Sequence, residues 1–336
     1  MLFAVACAKT EPATLPDAGL ARAPRELARS VSSAAAPTLE PAPVENASYR
    51  FPAAPRIVAI GDIHGDVHAA RAALRLAGAV DDTGKWVGKD LVLVQTGDQL
   101  DRGDDEPEII GLFERLRSEA QAAGGAVHAL NGNHEIMNVQ GDFRYVTDDG
   151  FHDFRGVHPL PALEPVLERL PAERRGRAAA FLPGGEVARR LSVQPVVVQV
   201  GDTVFVHGGV LPAHVRYGLG RINREVQAWM LGAPTAPAPH SVSNESALIW
   251  VRNYSDGEPS AANCEELSKV LASLSAKRMV VGHTVQKQGI NSACGGKVWR
   301  IDVGLSRYYG GETSVLEIRG NEVRALRASA APAPAK

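Results

Sequence analysis

The chain has 336 residues, 45% of them hydrophobic and 22% charged, with Lys plus Arg at 36 against Asp plus Glu at 38 for a net charge of −2. Ordinary globular usage excludes wholesale disorder and coiled coil. The balanced charge gives no footprint for nucleic acid or an anionic membrane as main partner, no apolar run reaches the ~18 residues of a membrane span, and three cysteines without a C-x-x-C pair exclude a disulfide scaffold.

At the N-terminus, Leu2 to Ala6 (LFAVA) runs directly into Cys7, and an Ala/Pro-rich stretch then reaches Tyr49. The arrangement resembles the end of a bacterial lipoprotein signal, in which Cys7 would carry the lipid and the stretch would be a tether. The apolar core is short and lacks a basic segment before it, so a start placed too far downstream and coincidence both stay open. The expectation is a signal or linker over 1–50, a catalytic domain over 51–327 and a low-complexity tail over 328–336. The expected location is the periplasm, with Cys7 as membrane tether; the alternative is a cytoplasmic enzyme with free thiols.

Five short apolar runs follow, each ending at a glycine-flanked polar cluster. Arg56 to Ile60 stops at Gly61-Asp62-Ile63-His64-Gly65-Asp66, and Leu91 to Gln95 stops before Gly97-Asp98-Gln99-Leu100-Asp101-Arg102-Gly103. Ala126 to Leu130 stops before Gly132-Asn133-His134-Glu135, Val204 to Val206 at His207-Gly208-Gly209, and Met279 to Val281 at Gly282-His283-Thr284. Runs this short and Val-rich read as buried strands. Val67 to Ala77 and Glu108 to Ala123 carry apolar residues at helical steps, so the order is β-α-β and the sheet is covered by helices. Residues 159–190 read as an inserted helical lobe whose basic run, Arg174 to Arg177, is a solvated face. Residues 233–243 read as an extended loop. Crossover geometry places ligand-handling groups beyond the carboxyl ends of the strands, where all five clusters lie.

Asp62, His64, Asp98, Asn133, His207 and His283 are oxygen and nitrogen donors without a thiolate among them. Six such groups exceed one tetrahedral ion and suit two cations sharing a carboxylate, for which Asp98 has the middle position. Two ions about 3.5–4 Å apart are the usual apparatus for phosphate-ester cleavage by a bridging hydroxide. His134, next to Asn133, would protonate the leaving oxygen as general acid, Asp101 would hold its tautomer, and Arg102 would clamp phosphate oxygens.

Together these motifs resemble the phosphoprotein phosphatases of the calcineurin-like metallophosphoesterases, over about Arg56 to Ile318. Gly132 to Val146 (GNHEIMNVQGDFRYV), Ala276 to Val285 (AKRMVVGHTV) and Val298 to Gly311 (VWRIDVGLSRYYGG) are most similar to the Shewanella-like branch. The resemblance implies an α/β fold, a β-sandwich flanked by helices in four layers (α-β-β-α). It implies one metal on Asp62, His64 and Asp98, and another on Asp98, Asn133, His207 and His283. Mn, Fe and Zn all suit the donors. His134 is implied as general acid, with Asp101 and Arg102 beside it, and a phosphoprotein or phosphopeptide as substrate.

The sequence departs from the Ser/Thr members in two places. The segment with their second phosphate-binding arginine does not align cleanly, Arg252 being the nearest candidate, and the loop that contacts natural-product inhibitors is replaced by Ser306 to Gly311 (SRYYGG). The Shewanella-like branch includes enzymes that prefer phosphotyrosine, so that substrate is expected alongside phospho-Ser/Thr. Arg144 reads as an ion pair with Asp142, whereas Tyr308 and Tyr309 either line the mouth or pack inside. The rivals are a dinucleoside-polyphosphate hydrolase, weakened by the G-D-F-R-Y-V and S-R-Y-Y-G-G stretches, and an inactive metal-bound binding module, weakened by the intact site. Removing Cys7 leaves Cys264 and Cys294, an even pair that suits a disulfide in an oxidising compartment.

Overall fold

The computed structural model describes residues 49–232 and 236–328, so the expectations for Cys7 and its tether lie outside the described residues. The chain opens on β1 (Arg50–Phe51), then follows the alternation expected from the sequence: β2 (Ile57–Ile60), α1 (Val67–Leu76), β3 (Val92–Gln95), α2 (Glu106–Ala122) and β4 (Ala126–Ala129). Asp66 caps α1 by accepting from Ala69 N–H, and the helix buries Val67, Ala70, Ala73 and Leu74 at three- and four-residue steps.

Next come α3 (Asn133–Gln140), α4 (Asp148–His152), α5 (Glu164–Leu167), α6 (Ala172–Phe181) and α7 (Glu186–Leu191). Helices α5 to α7 fall in the expected lobe, with Pro171 opening α6 and Gly185 opening α7. The second half holds β5 (Val197–Val200), β6 (Thr203–Val206), α8 (Pro212–Tyr217), α9 (Leu219–Met230), α10 (Ala261–Ser273), β7 (Arg278–Val281), β8 (Asn291–Ala293) and β9 (Val298–Arg300). It closes on the hairpin of β10 (Ser314–Arg319) and β11 (Glu322–Arg327).

These strands form two sheets, one in the order β11-β10-β2-β3-β4 and the other β1-β5-β6-β7-β9-β8. Within the first, β2, β3 and β4 are parallel; within the second, β6 and β7 are parallel. Alternation explains how the sheets stack. Val198, Val200, Phe205 and Val280 pack into one core with β2, β3, α1 and α2, while Val197, Val204, Val206, Met279 and Val281 pack into another with α6, α7, α9 and α10. Both faces of each central strand are therefore buried, which is why these runs are continuously apolar. The result is the expected helix-sheet-sheet-helix sandwich.

Cys264 on α10 is bonded to Cys294 just beyond β8, with the Cα atoms 5.2 Å apart and a sequence separation of 30. On the chain-entropy account such a crosslink contributes about 3–4 kcal/mol. Among the described residues no helix is long and apolar enough to cross a membrane.

Candidate metal centre and acid site

The polar clusters beyond β2, β3, β4, β6 and β7 meet in one place, and the backbone turns sharply to bring them there. Eight described residues other than glycine have a positive φ, and five of them are His64, Asp98, Asp101, Arg102 and His283. Left-handed backbone costs an L-residue free energy, and it persists where surrounding contacts over-determine it. Those contacts are present. Ile63 and His64 N–H both donate to the Asp98 carbonyl at 2.9 Å. The Glu135 carboxylate accepts from Gly132 N–H (2.6 Å), Gln99 N–H (2.8 Å), Asp98 N–H (2.9 Å) and Leu100 N–H (3.2 Å). Glu135 thus stitches the loop after β3 to the start of α3. Its role was invisible from the sequence, although it stands inside the G-N-H-E motif.

The donor set is arranged for a cation. His207 donates from Nδ1 to the Thr96 carbonyl (2.9 Å), which turns Nε2 toward the other donors. That nitrogen faces Asn133 Oδ1 at 2.8 Å, His283 Nδ1 at 3.1 Å and Asp98 Oδ2 at 3.2 Å. His283 Nε2 is itself buried without a hydrogen-bond partner. On the other side of Asp98, His64 donates from Nδ1 to the Leu100 carbonyl (3.2 Å) and points Nε2 at Asp98 Oδ2 (3.8 Å) and Asp62 Oδ2 (4.0 Å). Partners on the far ring nitrogen are how metal-ligating imidazoles are oriented. Two metal-sized groups result, His64 with Asp98 and His134, and Asp98 with His207 and His283, and Asp98 belongs to both.

Electrostatics point the same way. Burial, then the charges of Asp302 and Asp98, push Asp62 well above its usual range, and burial pushes Asp302 up to about 6. For Asp62, Asp302 and Asp98 to be ionised together, positive charge is needed between them. The residues therefore fit divalent or trivalent metal.

His134 stands at the edge of this centre. Its Nδ1 donates to Asp101 Oδ2 at 2.5 Å, and its Nε2 lies 3.8 Å from Asp98 Oδ2. Burial alone would lower the imidazole, but the Asp98 charge and the Asp101 hydrogen bond outweigh it and hold it above its usual value. Arg102 projects into a ring of tyrosines, with its guanidinium carbon 4.4 Å from the centroid of Tyr145, 4.9 Å from Tyr308 and 5.5 Å from Tyr309. Its Nε is buried and has no partner. Tyr309 approaches His64 at 5.3 Å between centroids, and Tyr145 approaches His134 at 5.0 Å. Tyr308 is 59% exposed, so the two open alternatives for this pair resolve to the mouth of the site. Arg252 lies against the centre but is tied to its frame, donating to the His283 carbonyl (3.0 Å) and Thr284 Oγ1 (2.8 Å). Arg144 pairs with Asp142 as expected.

One expectation needs correction. Arg174 and Arg175 are exposed, but Arg177 is completely buried, because the run leads straight into the apolar Ala178 to Phe181 and the helical turn carries its last arginine to the inner face. There it pairs with Glu106 and reaches Asp101.

The pattern of the calcineurin-like phosphoesterases matches residues 55–287. Shewanella-like protein phosphatase 2 of Arabidopsis thaliana is 40% identical over 299 residues, covering 80% of this chain and 76% of the relative. Shewanella-like protein phosphatase 1 of Plasmodium berghei (strain Anka) is 29% identical over 282 residues, covering 81% and 74%. Among solved structures, a cold-active protein-tyrosine phosphatase of a psychrophilic Shewanella superimposes with a TM-score of 0.66 at 24% identity, over 83% of this chain and 82% of that one. A protein serine/threonine phosphatase from Saccharomyces cerevisiae gives a TM-score of 0.52 at 15% identity, over 86% of each chain. The two structural likenesses establish the shared fold, and the match along the sequence establishes the family. With its clustered His and Asp donors, the chain belongs to the calcineurin-like phosphoesterases, in their Shewanella-like protein phosphatase branch, and is a metal-dependent phosphoesterase.

Proposed function

We propose that this enzyme is a dinuclear-metal protein phosphatase that hydrolyses phosphotyrosine at least as readily as phosphothreonine, with His134 as general acid. The observation that carries it is the His134–Asp101 pair set 3.8 Å from Asp98, the carboxylate common to both donor groups. Asp62, His64 and Asp98 would hold one ion, and Asp98, Asn133, His207 and His283 the other; Mn, Fe and Zn all suit these donors. Bound ions would supply an activated water near neutral pH and neutralise charge on the phosphoryl oxygens.

The chain's own residues do the rest. Arg102, with its unpartnered Nε, offers a planar donor to phosphoryl oxygens, and Arg252 adds positive charge beside His283. Asp101 accepts from His134 Nδ1, so the ring presents its Nε2 edge to the centre and can hand a proton to the departing oxygen. Tyr145, Tyr308 and Tyr309 make a mouth of aromatic faces, which suits an aryl leaving group better than an alkyl one. The Shewanella-like name of the Arabidopsis relative, a protein phosphatase, supports a phosphoprotein substrate.

Metal-replete protein assayed on matched phosphotyrosyl and phosphothreonyl peptides tests the proposal. Phosphotyrosine should turn over at an equal or higher rate, with little inhibition by okadaic acid or microcystin. A strong phosphothreonine preference with tight toxin inhibition would overturn it.

A further inference from the structure

We propose that Arg177, carried in by the helical insertion, is a positioning residue that fixes the general acid through Asp101 and Asn138; the inference rests on the role assigned above to His134. A guanidinium has five N–H donors in a rigid fork. Arg177 is 0% exposed, and each of its five finds an acceptor. Nη1 donates to Glu106 Oε2 and to the Gly150 carbonyl (2.8 Å), Nη2 to Glu106 Oε1 (3.0 Å) and Asp101 Oδ1 (3.5 Å), and Nε to Asn138 Oδ1 (2.9 Å). Phe181, Phe154 and Phe143 close around it at 4.4, 5.4 and 5.9 Å.

The partners converge on one carboxylate. Asp101 Oδ2 accepts from His134 Nδ1, while Oδ1 accepts from Asn138 Nδ2 (3.0 Å) and Arg177. Asn138 Nδ2 also donates to the His134 carbonyl (2.9 Å), and Glu106 Oε1 accepts from Asp101 N–H (2.6 Å). Arg177 is thus bonded to Asp101 itself and to Asn138 and Glu106, the groups besides His134 that hold Asp101 in place. Asp101 sits at a φ of 66°, a conformation that needs such support. A buried ion pair is a poor source of net stability, because desolvation offsets its attraction. A fully satisfied one is well suited to holding a geometry. The helices of the insertion therefore reach the chemistry without lining the site: they deliver the far end of the Arg177–Asp101–His134 chain.

General-acid help matters only when the leaving group needs a proton, and this separates positioning from mere folding. Metal-loaded wild type, Arg177→Lys and His134→Asn would be compared on aryl phosphates running from phenyl phosphate to 2,4-dinitrophenyl phosphate. Lysine keeps the charge but lacks the fork. Arg177→Lys should lose about 10- to 100-fold in kcat on phenyl phosphate, a share of the ~10²–10⁴ that general-acid catalysis supplies, while staying within about threefold on the dinitrophenyl ester. An Arg177→Met, Glu106→Gln variant removes both buried charges together and should show the same slope. His134→Asn, Arg177→Lys should be no steeper than His134→Asn alone. A uniform loss across the series, or no loss, in both Arg177 variants overturns the inference. A flat series for His134→Asn overturns the general-acid assignment itself, whereas a steep His134 series beside flat Arg177 series overturns only the positioning role.

Discussion

Gly132 leaves no room for a side chain: a Cβ there would lie 2.2 Å from Asp98 Oδ1 and 2.9 Å from His207 Nδ1. Gly282 is similar, with a Cβ 2.3 Å from Asp62 Oδ1. The glycines beside these candidate ligands are thus clearance for the donor atoms as well as turn formers. Gly132→Ala should therefore lower phosphatase activity by at least about two orders of magnitude, since misplacing reacting groups by about 1 Å costs that much. Far-ultraviolet circular dichroism should stay unchanged, because the backbone at Gly132 has a negative φ that alanine can adopt. Wild-type activity in that variant would show that Asp98 and His207 are not where the reaction takes place. At this scale the sequence was most legible for side chains that touch the centre, since their types and spacing follow from the chemistry. It was least legible for groups that act at one remove. Glu135 serves the loops through backbone N–H groups, which leave no pattern in side-chain identity. Arg177 looked like its exposed neighbours, and only the apolar stretch immediately after it signals the inward face.

Elements were legible wherever apolar periodicity met a glycine-flanked stop. The strands β2, β3, β4, β6 and β7 begin and end within a residue or so of the apolar runs, and α1 and α2 fill the helical stretches. Strand β10 shows what periodicity does not reveal. Its Glu317 is buried in the middle of the strand, opposite Val58 on β2 and Arg324 on β11. Arg56 Nε and Arg324 Nε donate to its two oxygens at 2.6 and 2.7 Å, and Arg319 stands 3.4 Å away. Burial would raise this carboxyl, but the hydrogen bonds from Arg56, Arg324 and Arg319 outweigh it and hold it at about 2. A folded-state value below the unfolded one gives stability that is complete above the unfolded pKa of about 4.3 and is lost as pH falls through the folded value. Glu317→Gln should therefore cost about 2 kcal/mol at pH 7, after allowing for screening of the exposed arginine heads. The difference from wild type should shrink between about pH 5 and pH 2. Denaturant unfolding at a series of pH values checks this, and a pH-independent difference would show that shape rather than charge is at stake.

At the scale of the molecule, the sequence presented five strand ends as one row, whereas the fold distributes them over two sheets: three clusters follow β2, β3 and β4, and two follow β6 and β7. Short apolar runs carry no mark of which sheet they join, because strands buried on both faces look alike. That choice entered through resemblance to the family rather than through pattern. Its consequence is chemical. The second sheet brings His207 and His283 against Asp98 and Asn133 from the first, so the complete donor set exists only when the sandwich has formed. The insertion adds the Arg177 chain from outside the two sheets, and the Cys264–Cys294 bond fastens α10 to the strand pair at the far edge. On the proposed mechanism this assembled centre separates metal holding, in which Asp98 would be common to both sites, from proton delivery by His134. Metal content and phosphotyrosyl-peptide turnover, measured together on purified His134→Asn and Asp98→Asn, test it most directly. His134→Asn should keep the wild-type metal content and lose about two to four orders of magnitude in turnover, while Asp98→Asn should lose metal and activity together. Near-wild-type turnover by metal-replete His134→Asn would contradict it.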